Sequence, residues 1–191
     1  FKATFFDSQV SAFLIILISI TVILFSWLMF QQTHSIEYAL RKTLFNGVSI
    51  LTGTGYSSDN YMLWGSFPIS IFFVIGLIGG CAGSTTCSIK VFRFQILFSA
   101  ISSQIKQMHF PSAVVATRYE GKRVSVDIVS SVIAFFILFF ASLFLIALAL
   151  SATGLDFVTA ISGAVSTLAN IGPGLGERIG PIGNYAELNN I

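Results

Sequence analysis

Three long stretches of the chain carry no charge: residues 10–30, 60–89 and 128–155. As helix, the first would rise about 31 Å, the thickness of a bilayer's hydrocarbon core. Asp7 and Ser8 stand before it as candidate N-caps. The second run divides. Residues 62 to about 78 read as helix entering near Trp64, an interfacial residue type. The phrase Gly79-Gly80-Cys81-Ala82-Gly83-Ser84-Thr85-Thr86-Cys87-Ser88 follows, and helix resumes from 89 to about 107. The third run, rich in Phe, Ile and Leu, supplies another span over 128–154.

Two segments fit neither span nor plain loop. Residues 34–51 and 156–169 are helix-compatible but too short to cross, with Asp156 a candidate N-cap for the second. Each ends in a glycine phrase: Thr52-Gly53-Thr54-Gly55-Tyr56 and Asn170-Ile171-Gly172-Pro173-Gly174. The economical reading is a half-helix that dips into the membrane and an extended strand that returns. A shift of 117 residues superposes Val48 on Val165, Ser49 on Ser166, Leu51 on Leu168 and Gly55 on Gly172. The pattern therefore reads as two copies of helix, pore helix, strand and helix, the second without its last helix. The chain opens at Phe1 without an initiator Met and stops in a polar stretch at 184–190, so a piece of a larger membrane protein is expected.

Composition agrees. Apolar residues make up 54% of the 191, charged residues only 9%, and mean hydropathy is +0.86. A soluble domain carries roughly a quarter charged residues, so an ordinary water-soluble globule is excluded. A net charge of +2 gives no basic face for nucleic acid. Two cysteines, Cys81 and Cys87, and two histidines, His34 and His109, offer neither a disulfide framework nor a zinc site. Six of the ten basic residues (Lys90, Arg93, Lys106, Arg118, Lys122 and Arg123) lie between the second and third runs, and Lys2 falls on the same side. The positive-inside rule puts the 90–127 connection in the cytoplasm and 31–60 and 156–191 outside.

Non-helical backbone is tolerated at membrane depth only inside protein or beside a wet cavity. A half-helix C-terminus aims about half a negative charge at such a cavity. Carbonyls of the strand after it can replace the water shell of an alkali cation. No carboxylate stands in either glycine phrase, which favours a weakly hydrated monovalent ion over Mg²⁺ or Ca²⁺. Plainer readings stand beside this one. The glycines at 53 and 55 could build an outer turn. Gly76 with Gly80, and Gly79 with Gly83, could be helix-packing pairs, although Ser84, Thr85, Thr86 and Ser88 then go unexplained and a broken helix lining water fits better. Lys90 and Arg93 read as interfacial anchors, and Cys81 as small packing. An intramembrane hydrolase using Ser84 or Cys81 would need a nearby base, and neither histidine supplies one. A scaffold subunit is the third alternative.

These phrases resemble the Trk/Ktr/HKT superfamily of potassium transporters, most closely the TrkH-type membrane subunit, over essentially the whole chain. The carriers are Asp7-Ser8-Gln9-Val10, Thr52-Gly53-Thr54-Gly55-Tyr56, Gly79-Gly80-Cys81-Ala82-Gly83-Ser84-Thr85 and Asn170-Ile171-Gly172-Pro173-Gly174-Leu175-Gly176. The resemblance implies an all-α membrane protein of four helix–pore-helix–helix repeats around one pathway. Residues 1–107 would be the third repeat and 128–191 most of the fourth, joined by a cytoplasmic connection at 108–127. Potassium would bind filter carbonyls of Thr52, Gly53, Thr54 and Gly55 and of Asn170, Ile171 and Gly172. The 79–88 phrase would be a gating loop below them. The resemblance further implies potassium uptake, downhill or ion-coupled, with no covalent cofactor, in the bacterial inner membrane. It also implies a homodimer and a cytoplasmic nucleotide-binding ring (TrkA-like) facing 90–127. Where the family loop commonly continues in glycines, Thr86, Cys87 and Ser88 stand here, which predicts a stiffer loop.

Overall fold

A computed structural model describes residues 7–31, 35–110, 116–176 and 178–183. His34, Lys2 and the polar stretch at 184–190 lie outside the described residues. Among the described residues six helices carry the fold: α1 (Ser8–Phe30), α2 (Ile36–Leu51), α3 (Ser66–Leu77), α4 (Val91–His109), α5 (Val126–Ala152) and α6 (Phe157–Ala169).

Each long helix is followed by a short one folded back against it: α2 packs on α1, and α6 packs on α5. Side-chain caps fix four of the starts. Asp7 accepts the Gln9 N–H, Ser35 that of Tyr38, Ser125 that of Ile128 and Asp156 that of Thr159. Each cap satisfies a main-chain donor that the first helical turn cannot. The two halves meet where α3 lies against α6.

Among the described residues, α1 and α5 are the helices long and apolar enough to cross a bilayer. Their outer faces leave large apolar side chains exposed, such as Ile15 and Ile18 on α1 and Ile137 and Leu145 on α5. Such faces suit contact with lipid or with apolar surfaces outside this chain. Their inner faces supply Leu24 and Leu28, fully buried, and Val132 and Phe139. Between helices in lipid, packing rather than water exclusion does the holding.

Trp64 stands just before α3, as expected, and is buried within the protein. It sits in a 3-10 turn, Tyr61–Trp64, and is 2% exposed. Its ring lies 5.9 Å from Phe72, while its carbonyl accepts from the Trp27 ring N–H. Gly65, at φ +101, then turns the chain into α3.

One small element stands beside the helices of this mostly helical fold. Arg118–Tyr119 (β1) and Lys122–Arg123 (β2) form an antiparallel hairpin. Its two-residue turn, Glu120-Gly121, has φ +50 and +76, and two positive φ values in succession suit the twist of a tight hairpin. Ser99 Oγ donates to the Arg118 carbonyl and Ser8 Oγ to Glu120 Oε1. The 118–123 hairpin is thus held to the start of α1 and to α4.

The Thr159 hydroxyl and main-chain N–H hold the Asp156 carboxyl below the usual carboxylate range. With a lowered folded pKa, the stabilisation is complete at neutral pH and fades as pH falls through that lowered value. Asp156→Ala is expected to cost about 1 kcal/mol. Melting of the detergent-solubilised protein from pH 7 towards pH 3 should show Asp156→Asn losing less stability on acidification than the parent.

Candidate functional site

The two short helices that follow the long ones line their inner faces with small polar groups. Of the eight buried polar side chains among the described residues, three lie on α2 (Thr43, Asn46, Ser49) and three on α6 (Thr159, Ser162, Ser166). Spacings of three and four keep each trio on one helix face. Those faces look onto the glycine phrases that follow the helices.

Both helices end on a serine carbonyl that captures the chain as it leaves. Thr54 N–H donates to the Ser49 carbonyl at 2.9 Å, and Ile171 N–H to the Ser166 carbonyl at 3.0 Å. Both donor and acceptor pairs are 117 residues apart, the same shift that aligns the sequence. Gly53 (φ +69) and Gly55 (φ +77) turn the first phrase, while Asn170 (φ +52) and Gly172 (φ +114) turn the second. The Thr52 hydroxyl bonds back to the Val48 carbonyl and meets that of Thr54 at 2.7 Å.

The two phrases touch. A Cβ on Gly55 would lie 1.9 Å from the Ile171 carbonyl oxygen, and one on Gly53 would lie 3.9 Å from that of Asn170. Position 55 is therefore glycine for two reasons, its backbone angle and its neighbour. At Gly172 the angle alone decides, because the nearest atom to an added Cβ is Gly55 Cα at 3.6 Å. The C-terminal ends of α2 and α6 converge at this contact, so their partial negative charges add there. The halves are not identical. Ser166 Oγ donates to the Gly172 carbonyl, whereas the equivalent Ser49 Oγ is buried with no partner among the described residues.

The 78–90 loop reaches the first phrase. The Thr86 methyl lies 3.6 Å from where a Gly53 Cβ would stand. The loop closes on itself through a parallel bridge between Ile78 and Ile89, with Gly79 N–H donating to the Ile89 carbonyl. Gly80 N–H donates to Thr86 Oγ1, Ser88 Oγ to the Gly76 carbonyl, and Ala82 N–H to Gln9 Oε1 at the start of α1. Cys81 is half-buried, while Ala82, Gly83, Ser84, Thr85 and Cys87 are exposed. Gly79 and Gly80 serve the loop rather than helix packing, since a Cβ would strike the Ser88 carbonyl or Ser84 Oγ. Gly76 does serve packing, against Ile171 and Val165.

Sequence reasoning missed four contributors. Lys90, read as an interfacial anchor, folds back so that Nζ donates to the Ser84 carbonyl and to Ser84 Oγ. Gln9 ties the loop to α1. Asn46 and Ser162 bind the chain beyond the two phrases. Gln9 stood in a quoted phrase but its contact, 73 residues away, did not show there; the other three act across turns whose geometry no period encodes. Arg93 lies with its guanidinium carbon 3.7 Å from the Phe135 ring centroid, a cation–π contact that joins α4 to α5.

A family model described as TrkH, cation transport protein, matches residues 8–187. The potassium uptake protein TrkI of Halomonas elongata is 42% identical over 182 residues, covering 95% of this chain and 37% of its own. The potassium uptake protein TrkH of Vibrio parahaemolyticus is 32% identical over 172 residues, covering 90% of this chain and 36% of its own. The crystal structure of the potassium transporter TrkH from Vibrio parahaemolyticus matches with a TM-score of 0.84 at 32% identity, over 90% of this chain and 37% of that one. The chain spans about 37% of the length of the relatives it matches.

The unequal surroundings of the two glycines give a direct test. Gly55→Ala must push the 171 main chain aside, whereas Gly172→Ala meets only an unfavourable φ, worth about 1–2 kcal/mol. In the full-length protein, Gly55→Ala should lower the melting temperature clearly more than Gly172→Ala. Equal losses would contradict the contact.

Proposed function

The chain belongs to the TrkH family of cation transport proteins, and on that premise we propose that it forms part of a potassium-uptake pathway. The family is one of transporters, not enzymes, so the hydrolase reading is set aside. Ser84 does have a basic neighbour in Lys90, but that ammonium donates to the Ser84 carbonyl as well as to its hydroxyl. It acts as a cross-link.

In this reading Thr52, Gly53, Thr54 and Gly55, with Asn170, Ile171 and Gly172, present the carbonyls that replace water around potassium. The observation that carries it is the contact between Gly55 and the Ile171 carbonyl, made where two capped half-helices converge. Exposed main chain at a meeting of helix C-termini suits a cation and disfavours an anion. The names of the relatives, potassium uptake proteins, supply the ion. The remainder of the pathway would come from repeats outside this chain.

The 79–88 phrase acts as the gate in this scheme. Its contact with Gly53 through Thr86 and its small exposed residues support that role. The scheme places 90–127 on the cytoplasmic side of a bacterial inner membrane, facing a TrkA-like ring, in a homodimer. The clustering of basic residues between 90 and 123 supports this orientation.

Two measurements test the reading in the intact protein, expressed in a bacterium lacking its own potassium uptake. Gly172→Ser should weaken the preference for potassium over sodium several-fold while the protein still reaches the membrane. An unchanged preference would remove the filter assignment. Lys90→Met should loosen the loop and raise the initial rate of potassium uptake. An unchanged or lower rate would mean that the Lys90 tether does not restrain the gate.

A further inference from the structure

The chain leaving each glycine phrase is gripped at one equivalent residue, three positions past the glycine that aligns between the halves. In the first half that residue is Ser58. Its N–H donates to Asn46 Oδ1 at 3.0 Å, its hydroxyl accepts from Asn46 Nδ2 at 3.2 Å and its carbonyl accepts from Lys42 Nζ. Asn46 is completely buried and anchors itself through Nδ2 to the Lys42 carbonyl at 2.8 Å. In the second half the residue is Leu175. Its N–H donates to Ser162 Oγ, and Ser162 Oγ donates to its carbonyl, each at 2.9 Å. Ser162 is 3% exposed.

Ser58 and Leu175 are 117 residues apart, as are Gly55 and Gly172. The gripping side chains are not: Asn46 aligns with Gly163, and Ser162 with Phe45. Space explains the change. A Cβ on Gly163 would already lie 3.1 Å from the Ile179 methyl, so no amide fits there. The hydroxyl one position earlier on α6 makes the grip instead. The same main-chain position is thus held in both halves by different chemistry from adjacent helix positions, which marks the held position as what matters.

We infer that Asn46 and Ser162 are positioning residues for ion discrimination: they fix the exit strand of each glycine phrase and so set the spacing of the carbonyls before it. This rests on the potassium-pathway reading above. Neither side chain touches the ion. Each acts through Ser58 or Leu175, both fastened to a helix that ends at the convergence of the two phrases. A carbonyl ring discriminates between ions by ligand number and distance, so a loosened strand would tolerate sodium better without closing the path.

The test uses the full-length protein and measures initial uptake of potassium and of sodium. Asn46→Leu and Ser162→Ala should each raise the apparent KM for potassium relative to sodium about tenfold, with the maximal rate largely kept. That factor is about 1.4 kcal/mol, the scale of one net hydrogen bond. Ser162→Thr, which keeps the hydroxyl, should restore the parent ratio. Ser162→Ala removes a single oxygen, so it tests the inference even where Asn46→Leu fails to fold. A lower maximal rate with the potassium-to-sodium ratio intact would make both residues merely structural and overturn the inference. Gly172→Ser runs alongside. If it alters the ratio and the Ser162 and Asn46 variants do not, the positioning role falls and the pathway stands; if none of them alters it, both fall.

Discussion

Main-chain polar groups away from water must find partners within the protein. Everything distinctive here follows from how the two glycine phrases meet that demand. Thr54 and Gly55 in the first give their amides to the Ser49 carbonyl, Ile171 in the second gives its own to that of Ser166, and both phrases turn through residues at positive φ. That fixes the phrase without using all its carbonyls. The buried hydroxyls and the amide on α2 and α6 complete the arrangement. A wholly apolar helix of the same length could pack equally well but could not hold irregular backbone beside it.

The mostly helical architecture was legible because charge is so scarce. Uncharged runs and acidic caps such as Asp7 and Asp156 mark helices with little ambiguity. The family was legible from glycine phrases short enough to quote. The hairpin at 118–123 was not, since two residues per strand leave no alternation to detect. Its one signal was Glu120-Gly121, an acidic-Gly pair between basic residues. The burial of Trp64 was not legible either, because it is decided by Tyr61 and Phe72, which tertiary packing brings against it. Within the site, the contact between Gly55 and Ile171 could not be read from sequence, because it joins residues 116 positions apart. The 117-residue shift says that two segments are alike; it does not say that they touch.

The loop shows how a polar phrase survives in an apolar setting. Its amides are answered locally by Thr86 and Cys81 and at a distance by Gln9. Lys90 brings charge to the Ser84 carbonyl, replacing with one long side chain the water a surface loop would use. Thr86 and Ser88 carry part of the restraint through their side chains, which a single substitution can remove.

The interlock at Gly55 also bears on how such a chain changes over generations. Two similar segments of one chain would ordinarily drift apart, each answerable to its own surroundings. Here the main chain at 171 occupies the volume that any side chain at 55 would need. A mutation in one copy is screened by the shape of the other, so the pair must be inherited as a unit. Recombination that exchanged one half for a distant cousin's would be tolerated only if both sides of that seam travelled together.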